Sequence, residues 1–270
     1  MLEIQRISKT FHPGTPNEVA ALRQVSLTLE SGEFLVIIGT NGSGKSTLLN
    51  AVAGTFLTDS GSIVLDKHDV TKWREHRRAS LIGRVFQNPF SGTAPSMSIM
   101  ENLALAARRG MPRTLGLLPG RTLREAIRTR VRSLNMGLED RLENAIGSLS
   151  GGQRQALTLL MATWRKPKLL LLDEHTAALD PKSADQVLRL GGEIIEKEKL
   201  TTLMVTHSMT QAITFGTRII MMHRGAVLHD LRGVEKQRAR VDDLLGRFEA
   251  IRRREQLDAG TAEMLRRQYV

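Results

Sequence analysis

One stretch, Gly39-Thr40-Asn41-Gly42-Ser43-Gly44-Lys45-Ser46-Thr47, limits what this chain can fold into more than any other. It has the form G-x-x-x-x-G-K-S, and its flanks give that form physical meaning. Before it, Glu33-Phe34-Leu35-Val36-Ile37-Ile38 is a short apolar run rich in β-branched residues, which reads as a buried strand. After it, Leu48-Leu49-Asn50-Ala51-Val52-Ala53-Gly54 reads as a helix ended by a glycine. Strand, glycine-rich loop and helix start together make a phosphate cradle. The glycines let backbone N–H groups turn inward, and the helix N-terminus adds partial positive charge. Lys45 is expected to reach the β- and γ-phosphates, and the Ser46 hydroxyl to sit on Mg²⁺. Strand-like and helix-like stretches alternate along the chain, which points to an α/β fold with a parallel sheet.

Composition narrows the setting. The 270 residues allow a sizeable core. The absence of cysteine excludes a disulfide scaffold and thiolate metal sites. Residues Met1 to Ile7 lack the apolar core of a signal peptide, and no uncharged apolar run approaches bilayer length, so a soluble, cytoplasmic chain is expected. The net charge of +11 suggests an anionic partner (nucleotide, nucleic acid or lipid headgroups), with a plain solvated basic surface as the competing reading.

The remaining candidates follow in chain order. Residues 1 to 30 alternate as strands, with a turn-rich loop from Phe11 to Asn17 between them. Phe11 offers a flat face for an adenine base, or else packs in the core. A strand over Leu81 to Phe86 ends at Gln87, whose amide is placed to complete a Mg²⁺ shell or orient water. From residue 97 to 148 the chain turns mostly helical and reads as a subdomain inserted into the sheet domain, its arginines facing acidic loops, lipid headgroups or solvent. Gly110-Met111-Pro112, Gly116 and Pro119-Gly120 break its helices apart. Leu149-Ser150-Gly151-Gly152-Gln153 then opens a long helical run, either as a second anion site or as a simple N-cap. A second γ-phosphate binder in a chain with one cradle suggests two chains sharing each nucleotide. Leu169 to Leu172 is a buried strand ending in Asp173-Glu174, a costly arrangement unless the acids bind metal or water. Asp173 is expected on the Mg²⁺ side and Glu174 as general base. His207 ends another strand, where it is either structural or a γ-phosphate contact.

Taken together these motifs resemble the ATP-binding subunits of ABC transporters, in order from about residue 2 to 232. Gly39 to Thr47 resembles the Walker A motif, Leu149 to Gln153 the LSGGQ signature, and Leu169 to Glu174 Walker B with its catalytic glutamate. Gln87, Asp180 and His207 fall at the Q-loop, D-loop and switch positions, and Phe11 at the adenine-stacking position. The resemblance implies a P-loop fold of the ABC type: a RecA-like core, an antiparallel β subdomain and a helical subdomain inserted at about 95–165, with a helical tail over 233–270. It also implies a head-to-tail homodimer that binds ATP and Mg²⁺. Ser150, Gly151, Gly152 and Gln153 would act on the nucleotide held by the other copy. A membrane permease at the cytoplasmic face of the membrane would dock on the helical subdomain. His175, after the catalytic glutamate, and Ala177 depart from the common pattern. With Thr40-Asn41 and the tail, they make the chain similar to bacterial importer ATPases paired with a lipoprotein-type binding protein, whose proposed substrates include aromatic amino acids. A soluble relative acting on nucleic acid or ribosomes is the rival, and is disfavoured because the chain has one cassette and no long coiled-coil insertion; an exporter subunit is the third reading.

Overall fold

Four successive leucines, Leu169 to Leu172, leave at most 1% of their surface exposed. A strand apolar on both faces must be covered on both faces, which favours the centre of a parallel sheet flanked by helices. The structure, a computed structural model, describes residues 1–111, 120–251 and 253. These leucines open β7 (Leu169–Asp173), which lies between β8 (Thr202–Val205) and β6 (Ile82–Val85). On the far side of β8 come β3 (Phe34–Gly39), β9 (Arg218–His223) and β10 (Ala226–Leu231), giving a six-stranded sheet in the order β10-β9-β3-β8-β7-β6. All neighbours are parallel except the β9–β10 hairpin.

A second sheet is antiparallel, in the order β2-β1-β4-β5, from β1 (Leu2–Phe11), β2 (Val19–Leu29), β4 (Ser60–Leu65) and β5 (His68–Asp69). Its inward side chains, such as Ile4, Leu22 and Leu27, share one core with α1 (Lys45–Ala53) and one face of the six-stranded sheet. The other face is covered by α6 (Pro181–Glu198), α7 (Met209–Phe215) and residue Leu244 of a helical segment over 241–251. Leu244 is fully buried there, and each such burial is worth about 1.5–3 kcal/mol.

A third cluster belongs to α3 (Ile99–Ala107), α4 (Arg121–Arg132) and α5 (Gly151–Thr163). Ser98 starts α3 with a reciprocal capping box to Glu101. Three of the α4 arginines are committed inside the chain. Arg121 pairs with Glu125 on its own helix at 3.1 Å. Arg130 lies 4.2 Å over the Trp164 ring, and Arg124 pairs with Glu143 at 2.9 Å. Pro112, Gly116 and Pro119, expected as helix breakers, lie outside the described residues, as does the end of the tail. The basic run Arg74 to Arg78, to which the sequence assigns no element, contains a short helix, α2 (Glu75–Arg78), and α8 (Gly233–Arg238) follows β10. No helix among the described residues is long and apolar enough to cross a membrane.

One buried charge anchors α1. Arg78, 1% exposed, donates to the carbonyls of Ala51, Val52, Trp73 and Thr71. Burial pushes its guanidinium down to about 10, still far above neutrality. The cation therefore caps the C-terminal carbonyls of α1 and complements its dipole, while the opposite end of the helix is left open.

Candidate active site

The strand order brings four loops into one row. β3, β8, β7 and β6 are successive parallel neighbours, so their C-terminal ends lie side by side. Ligands of open α/β sheets sit there. The loop after β3 is the glycine-rich cradle, that after β8 carries His207, that after β7 carries Glu174, and that after β6 carries Gln87.

The cradle is held on two sides. Gly225, in the β9–β10 turn, donates to Ser43 O at 3.0 Å and accepts from Arg23 N at 2.8 Å. Gly44, at φ 97°, is the N-cap of α1, and a Cβ on it would lie 2.5 Å from Ala21 O. That position therefore requires glycine for both conformation and space. No side chain caps α1, and its first turn has no acid, so its first N–H groups are free for an anion. Lys45 is 5% exposed and folds back to donate to Gly39 O at 2.9 Å and Thr40 O at 3.0 Å. Burial lowers its pKa, opposed by the charges of Glu174 and Asp173. Ser43 Oγ is buried with no partner. Asn41, Gly42 and Ser46 are exposed, and Thr47 is half-buried. An orphaned hydroxyl, a desolvated lysine and an uncapped helix start fit a bound phosphate group.

Across the row, Asp173 ends β7 and is half-buried. Burial raises its pKa, while Arg84, 3.5 Å away, and Lys45 lower it. Glu174 steps out of the strand at φ 43°, a left-handed conformation that costs a residue with a side chain about 1–3 kcal/mol. Its N–H donates to Val205 O at 3.0 Å, prolonging the β7–β8 ladder by one residue. His207 Nε2 lies 2.5 Å from Glu174 Oε1, and Gln87 Nε2 lies 3.5 Å from Glu174 Oε2. His207 is steadied from behind. Ser208 Oγ caps α7 by accepting from Gln211 N, and Gln211 joins Thr206 at 2.7 Å and Thr176 at 3.4 Å. Burial drives the neighbouring His175 down to about 4, so it is neutral at physiological pH.

Phe11 is the last residue of β1, paired with Val19, and not part of the following loop as its surroundings in the sequence suggest. Its ring meets Phe56 edge-on at 5.3 Å, with Lys9 Nζ 5.7 Å from its centroid.

The pentapeptide at 149–153 lies elsewhere in the chain. Ser150 is the N-cap of α5, which begins at Gly151. Ser150 Oγ accepts from Gln153 N, and the Gln153 side chain accepts from Ser150 N, both at 3.3 Å. Of the two readings open in the sequence, the capping role is the one this single chain displays. Gly152 meets the start of α6, where a Cβ on it would lie 2.8 Å from Ser183 Cβ. Asp180 caps α6, accepting from Ser183 N at 3.0 Å. These hydrogen bonds from Ser183 hold the Asp180 carboxyl below its ordinary value.

Four contributors are not apparent in the sequence: Arg84, Gln211, Ser183 and Gly225. Arg84 left one trace there, a lone charge within an apolar strand, which demands a partner. The others carry no local signal.

A family model described as "ABC transporter" matches residues 22–177, more than half of the chain. The chain belongs to the ABC transporter family. The matched stretch of this ABC ATPase runs from β2 past Glu174, leaving Phe11, Asp180 and His207 outside it. The chain is 42% identical over 258 residues to a tyrosine transport ATP-binding protein of Clostridioides difficile, covering 92% of this chain and 99% of that one. It is 35% identical over 227 residues to a lipoprotein-releasing system ATP-binding protein of Caulobacter vibrioides, covering 82% and 92%. Its fold matches a solved dimeric post-hydrolysis state of an ATP-binding cassette bound to ADP and Pi, with TM-score 0.73, 29% identity, and coverage of 86% of this chain and 100% of that one. The α/β architecture is thus that of a P-loop ABC cassette, and the reaction is ATP hydrolysis.

Proposed function

We propose that this ABC ATPase is the motor subunit of a bacterial importer, and that the carboxylate of Glu174 is its general base. The observation that carries the reading is the convergence of His207 and Gln87 on Glu174, in the same strand-end row as Lys45 and Asp173. Lys45 leaves the Gly39 and Thr40 carbonyls to hold the β- and γ-phosphates, with Thr40, Asn41, Gly42, Ser43, Gly44 and Thr47 forming the rest of the cradle. Glu174 takes the proton of the attacking water, and His207 and Gln87 fix the carboxylate and the water relative to the γ-phosphate. Positioning and fixed charge supply most of the rate in phosphoryl transfer. Phe11 stacks the adenine.

Ser46, Asp173 and Gln87 would hold Mg²⁺. Among the described residues no group of three or more acids, histidines or cysteines is arranged to hold a metal ion by itself. That suits an ion held by few protein groups and mainly by the nucleotide's phosphates. When bound, Mg²⁺ neutralises charge on the β- and γ-phosphate oxygens.

Ser150, Gly151, Gly152 and Gln153 serve the nucleotide of a second copy, with Asp180 beside them. The capping bonds of Ser150 use its oxygen and leave the hydroxyl proton to donate. Relatives whose names state import of spermidine/putrescine, phosphonates and methionine support the direction. In this reading residues 1–232 are the ATPase domain, the helical subdomain at about 95–165 receives a permease, and an extracytoplasmic solute-binding protein completes the system. The chain then lies at the cytoplasmic face of the membrane.

Glu174→Gln tests the chemistry. It should retain ATP binding, lose turnover by about 10²–10⁴-fold and accumulate a closed dimer; normal turnover would sink the general-base role. Purification of the tagged chain from solubilised host membranes tests the setting. Recovery with a multi-span permease supports it, whereas ribosomal proteins or nucleic acid in its place would overturn it.

A further inference from the structure

Strand β6 carries Arg84, whose side chain is 12% exposed. Its Nη2 donates to Asn50 Oδ1 at 2.5 Å and lies 3.5 Å from Asp173 Oδ2. Its Nη1 donates to Thr55 Oγ1 at 3.1 Å and lies 3.6 Å from Glu75 Oε1. The guanidinium also sits 4.5 Å over the ring of Phe86, the residue before Gln87. One planar cation therefore touches the C-terminal end of α1, the start of α2, the end of β7 and the segment leading to Gln87. Nε is buried with no partner, so the head group is kept in place although one of its donors goes unused.

A residue that merely stapled α1 to α2 would need only Asn50, Thr55 and Glu75. Here the same nitrogen that binds Asn50 also reaches Asp173, the less exposed of the two acids at 16% against 50% for Glu75. Charge attraction is screened less for the more buried partner. The contact is to Oδ2, so Oδ1 is not held by Arg84. This is how an outer partner orients a metal-binding carboxylate: it fixes one oxygen and thereby aims the other.

We propose that Arg84 is a positioning residue for Asp173, aligning its carboxylate for Mg²⁺ and tying that alignment to α1 and to the segment that carries Gln87. The inference rests on Asp173 being the metal-side acid. Arg84 itself touches neither metal nor nucleotide, so its effect is on Mg²⁺ dependence and not on nucleotide affinity as such.

The test uses the full chain and a fluorescent ATP analogue, with binding measured in EDTA and across a Mg²⁺ titration. Arg84→Gln should raise the Mg²⁺ concentration for half-maximal enhancement of binding by about 10-fold or more, the usual scale for an outer-shell partner, with affinity in EDTA unchanged. Arg84→Lys should recover part of this, because an ammonium cannot bridge Asn50 and Asp173 as the fork does. Combined with Asp173→Asn, Arg84→Gln should add nothing. An unchanged Mg²⁺ titration, or an equal loss in EDTA and in Mg²⁺, overturns the proposal. If Asp173→Asn alone leaves the titration unchanged, the metal-side reading of Asp173 fails and the proposal fails with it. If Asp173→Asn shifts it and Arg84→Gln does not, only the role of Arg84 fails. Should a thermal melt show Arg84→Gln unfolded, Arg84→Lys decides by the same criterion.

Discussion

Nε2 of His207 and Oε1 of Glu174 lie 2.5 Å apart, although 33 positions separate the two residues in the chain. They meet because β7 and β8 are neighbouring parallel strands, and Asp173 pairs in register with Val205. Each chain then leaves its strand on the same side, and the left-handed turn at Glu174 sends its carboxylate along the row toward His207.

His207→Ala should therefore act on the chemical step. It removes one of the two side-chain contacts to Glu174 while the cradle around Lys45 keeps its own hydrogen bonds. We expect kcat to fall about 10²-fold or more with little change in KM, the pattern for an interaction made in the transition state. Steady-state ATPase assays check this; a raised KM with unchanged kcat would place His207 in ground-state binding.

Gly44→Ala should weaken nucleotide binding. The added methyl meets Ala21 O at 2.5 Å, and the backbone there is held at φ 97°. Backbone must move, and the first N–H groups of α1 move with it. Equilibrium binding of an ATP analogue should weaken at least about 10-fold, since a positive-φ position with no room for a side chain carries a strain of about 1–3 kcal/mol before any clash. Wild-type affinity in the variant would show that the loop tolerates repacking.

Gly152→Ala separates packing from nucleotide contact in the signature segment. Its Cβ would lie 2.8 Å from Ser183 Cβ and 2.9 Å from Ser183 Oγ. The variant should lose about 1–3 kcal/mol of stability by overpacking, and Ser183→Gly should restore it by removing both atoms. Urea melts of the two single variants and the double variant measure the coupling. Additive losses would mean that Ser183 is not what Gly152 makes room for.

Asp230 should make stability fall in acid. Arg218, 2% exposed, holds it through two 2.7 Å hydrogen bonds, and Arg232, a second partner, adds two more at 2.5 and 3.0 Å. Burial works against the carboxylate, but these arginines win and bring it from its ordinary 3.8 to about 2. A depressed carboxylate stabilises the fold in full above its unfolded value, and the gain is lost as pH drops from about 4 toward 2. Partial exposure of the carboxylate limits that gain to about 1 kcal/mol. Asp230→Asn should cost more at pH 7, about 3 kcal/mol, because it leaves Arg218 buried with only the longer 3.6 Å pairing to Glu33. Urea unfolding at pH 7, 4 and 3 should show the gap between wild type and variant narrowing below pH 4. A gap independent of pH would assign the loss to hydrogen bonding alone.

The elements that carry the site are readable where local chemistry is one-sided. Leu169 to Leu172 cannot be anything but a covered strand, and Ser150 is an N-cap residue by type. Boundaries are less readable. β1 runs on to Phe11, and α5 starts at Gly151, five residues ahead of Ala156, the first apolar residue of that helix. In both cases long-range pairing or a capping bond extends the element beyond what propensity supports. Gly225 and Ser183 are invisible in the same sense, since each matters only for the backbone it approaches.

By itself the sequence determined the chemistry on offer: a glycine-rich loop between strand and helix, a carboxylate pair at a strand end, a glutamine and a histidine at two others, and the family to which that order belongs. Those features are local, and side-chain type with spacing is enough to state them. Only the tertiary structure decided which of them meet. The order β3-β8-β7-β6 runs against the order of the chain, and it alone sets Gln87 and His207 on either side of Glu174 and brings Arg84 to Asp173. Strand neighbours are chosen by how apolar faces are covered and how crossovers close, summed over the whole core, and no window of sequence holds that sum.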